Sequence, residues 1–381
     1  MMHIAFLTPE YPHEKVLHAA GIGTSIKNLA TALVQEGVAV SVFVYSQKTD
    51  TVFVEDGIKI HLIRHKKYRY FGWFFYRKYL QDYLNRFVSL DKIDLIEAPD
   101  WTGIAAFMNL KVPLVIRFHG SDAYFCHLEN RKQKLKNLWF EKIGMAKAKA
   151  FIAPTQFAGA LTQQLFGIND KVIRVLHYGI LLSDFANETP EDFEPGLVVY
   201  VGTLIRKKGV LELPAILEKA AETYPNIRLV LIGADSFDIQ TGSPSTWQLL
   251  YSMLDESLKN KVSYLGKVPY AQVKGYMQKA NVCVFPTFAE TQGMVTIESM
   301  AMQKAVVNSN IGWAQELIID GESGFLVHPK DHVLYASKIT ALLADKELAL
   351  QIGRNARVRT EQVFDIRKTV LQHIEFYQQQ L

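Results

Sequence analysis

At 381 residues the chain is longer than one ordinary core holds, so two domains are expected. An apolar fraction of 49% with 21% charged residues excludes a disordered chain, and a formal net charge of +4 argues against wholesale nucleic-acid binding while leaving room for a local basic patch. Cys126 and Cys283 lack metal-type spacing and read as reduced core residues, the first residues show no signal-peptide pattern, and no run approaches the ~20 apolar residues of a spanning helix, so a cytoplasmic protein is expected.

In chain order, Ile4 to Leu7 reads as a first strand, followed by a long loop from Thr8 to Gly23. Thr24 to Glu36 has helical periodicity, with Ile26, Leu29 and Leu33 on one side, and Gly37 stops it. Val38–Tyr45, Ile58–Ile63, Ile93–Ala98, Val112–Phe118 and Ala150–Ala153 read as further strands, with a basic and aromatic segment from Arg64 to Tyr83 among them. Helical stretches are expected around Ile104–Leu110, Lys132–Ala146 and Gln156–Leu165. From Asp184 to Gly196 the chain turns acidic and holds two prolines, a linker signature that places a first domain at 1–185 and a second at 186–363.

The alternation then resumes. Leu197–Val201, Arg228–Ile232, Val262–Leu265, Val282–Phe285, Ala305–Asn308 and Phe325–Val327 read as strands. Val210–Thr223, Thr246–Leu258, Ala271–Ala280 and Met294–Met302 read as helices, and the chain looks helical from His332 onward, ending in Ile366–Gln379. The expected fold class is α/β, with two doubly wound Rossmann-like domains and a ligand in a cleft that the two face.

Four loops carry candidate chemistry. Ala20-Gly-Ile-Gly-Thr24 precedes a helix, so Gly21 and Gly23 read either as a plain turn or as a close backbone approach to a phosphate. Arg117-Phe-His-Gly-Ser-Asp122 follows a strand, where His119 can hydrogen-bond a sugar hydroxyl or a leaving-group oxygen; a capping turn is the alternative. Val201 to Gly209 combines Gly202 and Thr203 with Arg206, Lys207 and Lys208 at a helix entry. Cations there oppose the helix dipole by roughly 0.3–1 kcal/mol each. An anionic ligand offsets that cost, so Arg206 and Lys208 read as diphosphate clamps, or else as a solvated charge run. Glu290 and Glu298 bracket a turn with Gly293 between a strand and a helix, as hydroxyl-binding carboxylates or as dipole groups only.

With these loops in this order, the chain resembles the family 4 retaining glycosyltransferases of GT-B fold, most specifically over Glu290 to Ala301 and Gly321 to Val327. The resemblance implies that Glu298 binds ribose hydroxyls and that Glu290 holds the donor sugar together with backbone groups of Gly293, Met294 and Val295. It further implies that Lys208 neutralises the diphosphate, that Gly23 contacts it, and that His119 touches the sugar near the reacting carbon. The final helix, about 364–381, is expected to pack back onto the first domain. The sequence departs from the family at Ala20, Thr203 and Trp313, and His177-Tyr-Gly-Ile180 stands where an asparagine–glycine pair is usual.

The implied reaction is hexosyl transfer with retention from a nucleotide-diphosphate sugar (a UDP- or GDP-sugar as co-substrate, with no other cofactor and no metal) to an acceptor hydroxyl, in cell-envelope polysaccharide or glycolipid synthesis. An epimerase of the same fold or a non-catalytic sugar-nucleotide-binding protein are the alternatives. The acceptor is expected to be a sugar or a lipid-linked sugar, with no nucleic-acid partner. Lys66, Lys67, Arg69, Arg77 and Lys78 interleave with aromatics from Tyr68 to Tyr79, and Arg131 to Lys136 lead into Trp139 and Phe140. That pattern suits either an anionic membrane surface, with the protein peripheral at the inner face of the cell membrane, or a helix whose aromatics are core and whose basic residues face water.

Overall fold

Short apolar, β-branched runs build the central strands, because a strand covered by helices on both faces has no polar side. Ile4, Ala5, Phe6 and Leu7 are each at most 1% exposed. The computed structural model describes residues 1–381, in two units. Unit 1 is Met1–Leu181 together with Asp365–Leu381, and unit 2 is Leu182–Phe364.

Unit 1 holds strands β1 (His3–Thr8), β2 (Ala39–Gln47), β3 (Thr51–Glu55), β4 (Ile58–Arg64), β5 (Leu95–Pro99), β6 (Leu114–Arg117), β7 (Ala150–Ala153) and β8 (Ile173–Val175). Their order is β3-β4-β2-β1-β5-β6-β7-β8, parallel throughout except for the antiparallel edge strand β3. Helices α1 (Gly21–Gln35), α2 (Gly72–Asp91), α3 (Asp122–Leu128), α4 (Leu135–Lys147) and α5 (Gln156–Phe166) cover it.

Unit 2 holds β9 (Leu197–Val201), β10 (Arg228–Ile232), β11 (Val262–Tyr264), β12 (Val282–Phe285), β13 (Ala305–Asn308) and β14 (Phe325–Leu326), all parallel in the order β11-β10-β9-β12-β13-β14. Its helices are α6 (Leu213–Thr223), α7 (Thr246–Ser252), α8 (Glu256–Lys259), α9 (Tyr270–Lys279), α10 (Met294–Ala301), α11 (Gly312–Leu317), α12 (His332–Ala344) and α13 (Lys346–Val363). The last helix, α14 (Ile366–Gln380), belongs to unit 1, where Ile366, Val370, Phe376 and Tyr377 share one core with Ile26, Leu29 and Leu33 of α1. In both sheets the winding reverses once, between β1 and β5 and between β9 and β12, and loops leaving such a reversal are where open α/β sheets bind ligands.

Several local expectations change. The basic and aromatic segment is largely α2, in which Tyr76, Leu80, Leu84 and Val88 recur every fourth residue and are buried. Burying each such leucine is worth about 2 kcal/mol. No helix spans Ile104–Leu110: a single tight turn, Trp101–Gly103, precedes it, and Thr102, Gly103 and Phe107 all have positive φ, which no helix propagates. Gly103 is forced by packing, since a Cβ there would lie 2.3 Å from the Phe140 backbone. The glycine loop is shorter than expected, because α1 already starts at Gly21. Both cysteines are free and buried. No helix is long and apolar enough to cross a membrane.

Candidate active site

In unit 2 the chain leaves β9 through Gly202, at φ +152°, where a Cβ would meet the Tyr200 hydroxyl at 2.9 Å. Thr203 is exposed, and Arg206–Lys208 forms one tight helical turn. Gly209 follows at φ +69°, and a Cβ there would lie 1.6 Å from the Pro286 carbonyl oxygen. Only glycine lets the loop after β9 press this closely on the loop after β12. The Lys207 carbonyl fastens the two, accepting from the N–H of Phe288 at 2.9 Å and of Ala289 at 3.3 Å.

This seam brings Lys208 into an ion pair with Glu290. Burial, with Lys207 beside it, pushes the Lys208 amine down to about 7. A desolvated ammonium in that position is stabilised by any added anion. Close by, Gly293 at φ +90° opens α10, which has no side-chain cap and no acidic residue in its first turn. Its Cβ position is 3.1 Å from the buried Trp313 ring, so the tryptophan that departs from the family pattern packs beneath this glycine. Met294 and Val295 are partly exposed in the same first turn.

Glu298, one further turn along α10, is 6% exposed, with the Tyr270 hydroxyl and Lys274 acting on its carboxyl. Burial raises its carboxyl to about 7, against the opposing pull of Tyr270 and Lys274. Arg206 is committed elsewhere. Its Nε and Nη2 each donate at 2.8 Å to the buried Asp238 carboxylate, which also accepts from Thr241. Of the two expected clamps, the fold therefore sets Lys208 beside the carboxylate loop and ties Arg206 to Asp238.

In unit 1 the expected glycines and His119 have different surroundings. Gly23 is a packing glycine: a Cβ would come within 2.9 Å of the Tyr11 Cα. Its N–H donates to the Glu10 carboxylate at 2.9 Å, so the chain's own anion occupies the donor expected to meet a diphosphate. Ala20, at the N-cap, offers no side-chain acceptor, and Gly21 has no neighbour around its Cβ position.

His119 follows β6. Its N–H donates to the buried Asp100 carboxylate at 2.9 Å. Its Nδ1 lies 2.7 Å from the Tyr178 hydroxyl, with the two rings stacked at 10°. Burial, assisted by the Arg117 charge, holds the imidazole pKa well below its ordinary value, so the ring is neutral. Donor and acceptor in that contact follow the imidazole tautomer: a hydroxyl donating to Nδ1 leaves the proton on Nε2, and an Nδ1–H donating to the hydroxyl frees the hydroxyl for the Phe118 carbonyl at 3.5 Å. Arg117 itself makes a buried double hydrogen bond to Glu97, at 2.7 and 3.0 Å, and the Tyr377 hydroxyl of α14 donates to the same carboxylate at 2.6 Å. Ser121 caps α3 through the Tyr124 N–H, and Glu141 accepts from the N–H groups of Asp122 and Ala123. For Ser121 and Asp122 the capping reading holds; His119 stands apart from it.

Two residues beside the expected sites escaped the sequence reading. Tyr178 had a signal, since it sits in the stretch that departs from the family's asparagine–glycine pair. Tyr270 had none, being far from Glu298 along the chain and in no motif.

Residues 19–183 match the model of Glycosyltransferase Family 4, and residues 184–359 match that of Glycosyl transferases group 1. The chain belongs to glycosyltransferase family 4. Among related glycosyltransferases, the glycogen synthase of Mycobacterium tuberculosis is 25% identical over 71% of this chain and 65% of its own length, just under two thirds. An uncharacterized glycosyltransferase of Methanocaldococcus jannaschii is 25% identical over 93% of both chains. Sucrose-phosphate synthase from Thermosynechococcus elongatus superposes with a TM-score of 0.81 at 22% identity, over 100% of this chain and 99% of that one. Anabaena HepE in complex with UDP and glucose gives 0.76 at 19% identity, over 100% of both. At these identities the likeness is one of fold, and the fold is that of the GT-B glycosyltransferases.

Proposed function

We propose that the chain transfers a hexosyl group from a nucleotide-diphosphate sugar to an acceptor hydroxyl, with retention at the anomeric carbon. The observation that carries this is the Lys208–Glu290 pair, held across two hydrogen-bonded loops beside the uncapped start of α10. The arrangement offers a cation and free backbone N–H groups to a diphosphate, and a carboxylate to the sugar attached to it. Glu298 is assigned to the ribose hydroxyls, and Gly293, Met294 and Val295 to the sugar and phosphate by their backbone. Anabaena HepE, a structural neighbour, is known with UDP and glucose bound.

In the proposed reaction the bond from the anomeric carbon to the diphosphate oxygen breaks. The acceptor oxygen bonds to that carbon on the same face, and its proton passes to the departing diphosphate. Lys208 and the start of α10 stabilise the charge that develops on the leaving group, with no metal required. His119, neutral, donates from Nε2 to an oxygen of the donor sugar in the tautomer whose Nδ1 accepts from Tyr178. The acceptor is a sugar or a lipid-linked sugar of the cell envelope, with the protein peripheral to an anionic membrane.

Incubation with radiolabelled UDP- and GDP-sugars tests the reading. Hydrolysis or transfer of the label with release of UDP or GDP supports it. Isomerised sugar nucleotide with no release indicates an epimerase instead, and recovery of unchanged donor indicates a binding protein.

A further inference from the structure

A cavity of about 500 Å³ opens in unit 1 where the ends of β2 and β4 meet the start of α2 and the turn after β5. Its lining holds Lys66, Lys67 and Arg77 and contains no carboxylate. Arg77 is 7% exposed, and its guanidinium donates to the carbonyls of Trp73, Thr102 and Gly103 at 2.9, 2.9 and 3.1 Å. Those dipoles take three of its five N–H groups without neutralising it, and burial pulls its pKa down to about 10. A buried cation without a counter-ion is costly unless an anion joins it.

Three further observations point the same way. Neither Lys66 nor Lys67 makes an ion pair; the Lys66 ammonium instead lies 3.7 Å from the centroid of the Tyr79 ring. The 20-residue α2 starts at Gly72, in the cavity wall, with no side-chain cap and no acidic residue in its first turn. Such a helix start attracts anions. Tyr45, 6% exposed and also lining the cavity, has a buried hydroxyl with no hydrogen-bond partner. Trp73 and Tyr68 supply apolar ring faces in the same wall, of the kind that lie against the C–H face of a sugar.

We propose that this cavity binds the phosphate group of a phosphorylated saccharide. Arg77, Lys66 and Lys67 hold the anion with the start of α2, the Tyr45 hydroxyl takes one hydrogen bond, and the sugar ring lies on the aromatic wall. That this saccharide is the glycosyl acceptor rests on the transfer reading above; that the cavity takes a phosphate does not. Two sources share the chemistry, a free sugar phosphate and a phosphate-linked saccharide or headgroup presented by a bilayer. The exposed Tyr70 and Phe71, 66% and 67% accessible, lie immediately before α2.

The test is titration calorimetry of the full chain with inorganic phosphate, glucose 6-phosphate, glucose, UDP and GDP, together with sedimentation on vesicles of phosphatidylcholine alone or mixed with phosphatidylglycerol. Glucose 6-phosphate is expected to bind at least about tenfold more tightly than glucose, and the Lys66→Ala/Lys67→Ala variant to lose about tenfold of that affinity while its UDP affinity stays unchanged. The retained UDP affinity shows that the variant is folded. Binding of glucose 6-phosphate without vesicle binding supports the site with a free source. Sedimentation with the mixed vesicles only, displaced by inorganic phosphate and lost in the double variant, supports it with a bilayer source. Equal affinity for glucose and its phosphate without phosphate-displaced vesicle binding, or an unaffected double variant, overturns it. Failure of both UDP and GDP to bind wild type breaks the transfer reading and leaves the phosphate site standing.

Discussion

In unit 1 the loop leaving β1 returns its own carboxylate, Glu10, to the Gly23 N–H in the first turn of α1, and the loop leaving β5 buries Asp100 under the backbone of His119. In unit 2 the loop leaving β9 presents Lys208, the loop leaving β12 presents Glu290, and α10 starts without any capping side chain. Both pairs of strands flank the reversal of a parallel sheet wound in the same sense. Topology supplies the same place twice, and loop chemistry decides what it accepts. One reversal sets its carboxylates on backbone N–H groups, and the other sets a carboxylate on a cation and leaves the start of α10 without a capping side chain.

The sharpest way to break this contrast is to remove the cation. Lys208→Ala is expected to lower turnover of a nucleotide sugar by about 100-fold or more, the usual cost of deleting a charge that stabilises a leaving group. A steady-state rate within a few-fold of wild type would leave unit 2 no more suited to a diphosphate than unit 1.

A second test uses proton linkage. Burial raises Glu298 to about 7 and lowers Lys208 to about 7. With Glu298 in its proposed role, below pH 7 it takes up a proton and loses the charge that would accept ribose hydroxyls, so nucleotide affinity should fall and binding should release protons. Above pH 7 Lys208 sheds its proton, so affinity falls again and binding takes protons up. UDP titrations across this range, in buffers of different ionisation heat, should give a bell centred near pH 7. Glu298→Gln should weaken binding by about tenfold and erase the acidic limb. A flat profile would separate both groups from the nucleotide.

Smaller effects sharpen the picture within each unit. Tyr178→Phe removes the hydroxyl at 2.7 Å from His119 Nδ1 and should lower kcat about five- to tenfold. UDP affinity should not move, and a matching loss there would assign the tyrosine to binding. Arg206→Ala should change kcat least, within about threefold, because its guanidinium is already held by Asp238. Instead the melting temperature should fall by a few degrees, about 1–2 kcal/mol for a double hydrogen bond between ions.

Much of this was legible in the sequence wherever the signal was local. Ile4–Leu7 and Val282–Phe285 read as strands because a strand covered on both faces leaves a continuous apolar run. Lys208 and Glu290 stood out because each lies in a short loop directly after such a run. What stayed hidden was non-local or masked. The period of α2 is obscured by partly exposed aromatics, Phe74 and Phe75, next to its buried Tyr76. The helix expected at Ile104–Leu110 is broken because Gly103 must fit against the Phe140 backbone, a contact no local pattern announces. The commitment of Arg206 to Asp238 and of Glu298 to Tyr270 depends on loops that only the folded sheet brings together.

The path of the chain has one more consequence, for the order in which the protein forms during synthesis. Unit 2 is an uninterrupted stretch, Leu182–Phe364, whereas unit 1 is completed by Asp365–Leu381, which are made after all of unit 2. Until α14 arrives, the Glu97 carboxylate lacks the Tyr377 hydroxyl, and the α1 face of the first sheet lacks Val370 and Phe376. The half that is begun first therefore closes only after the second has been made, and it waits with an uncovered apolar face meanwhile.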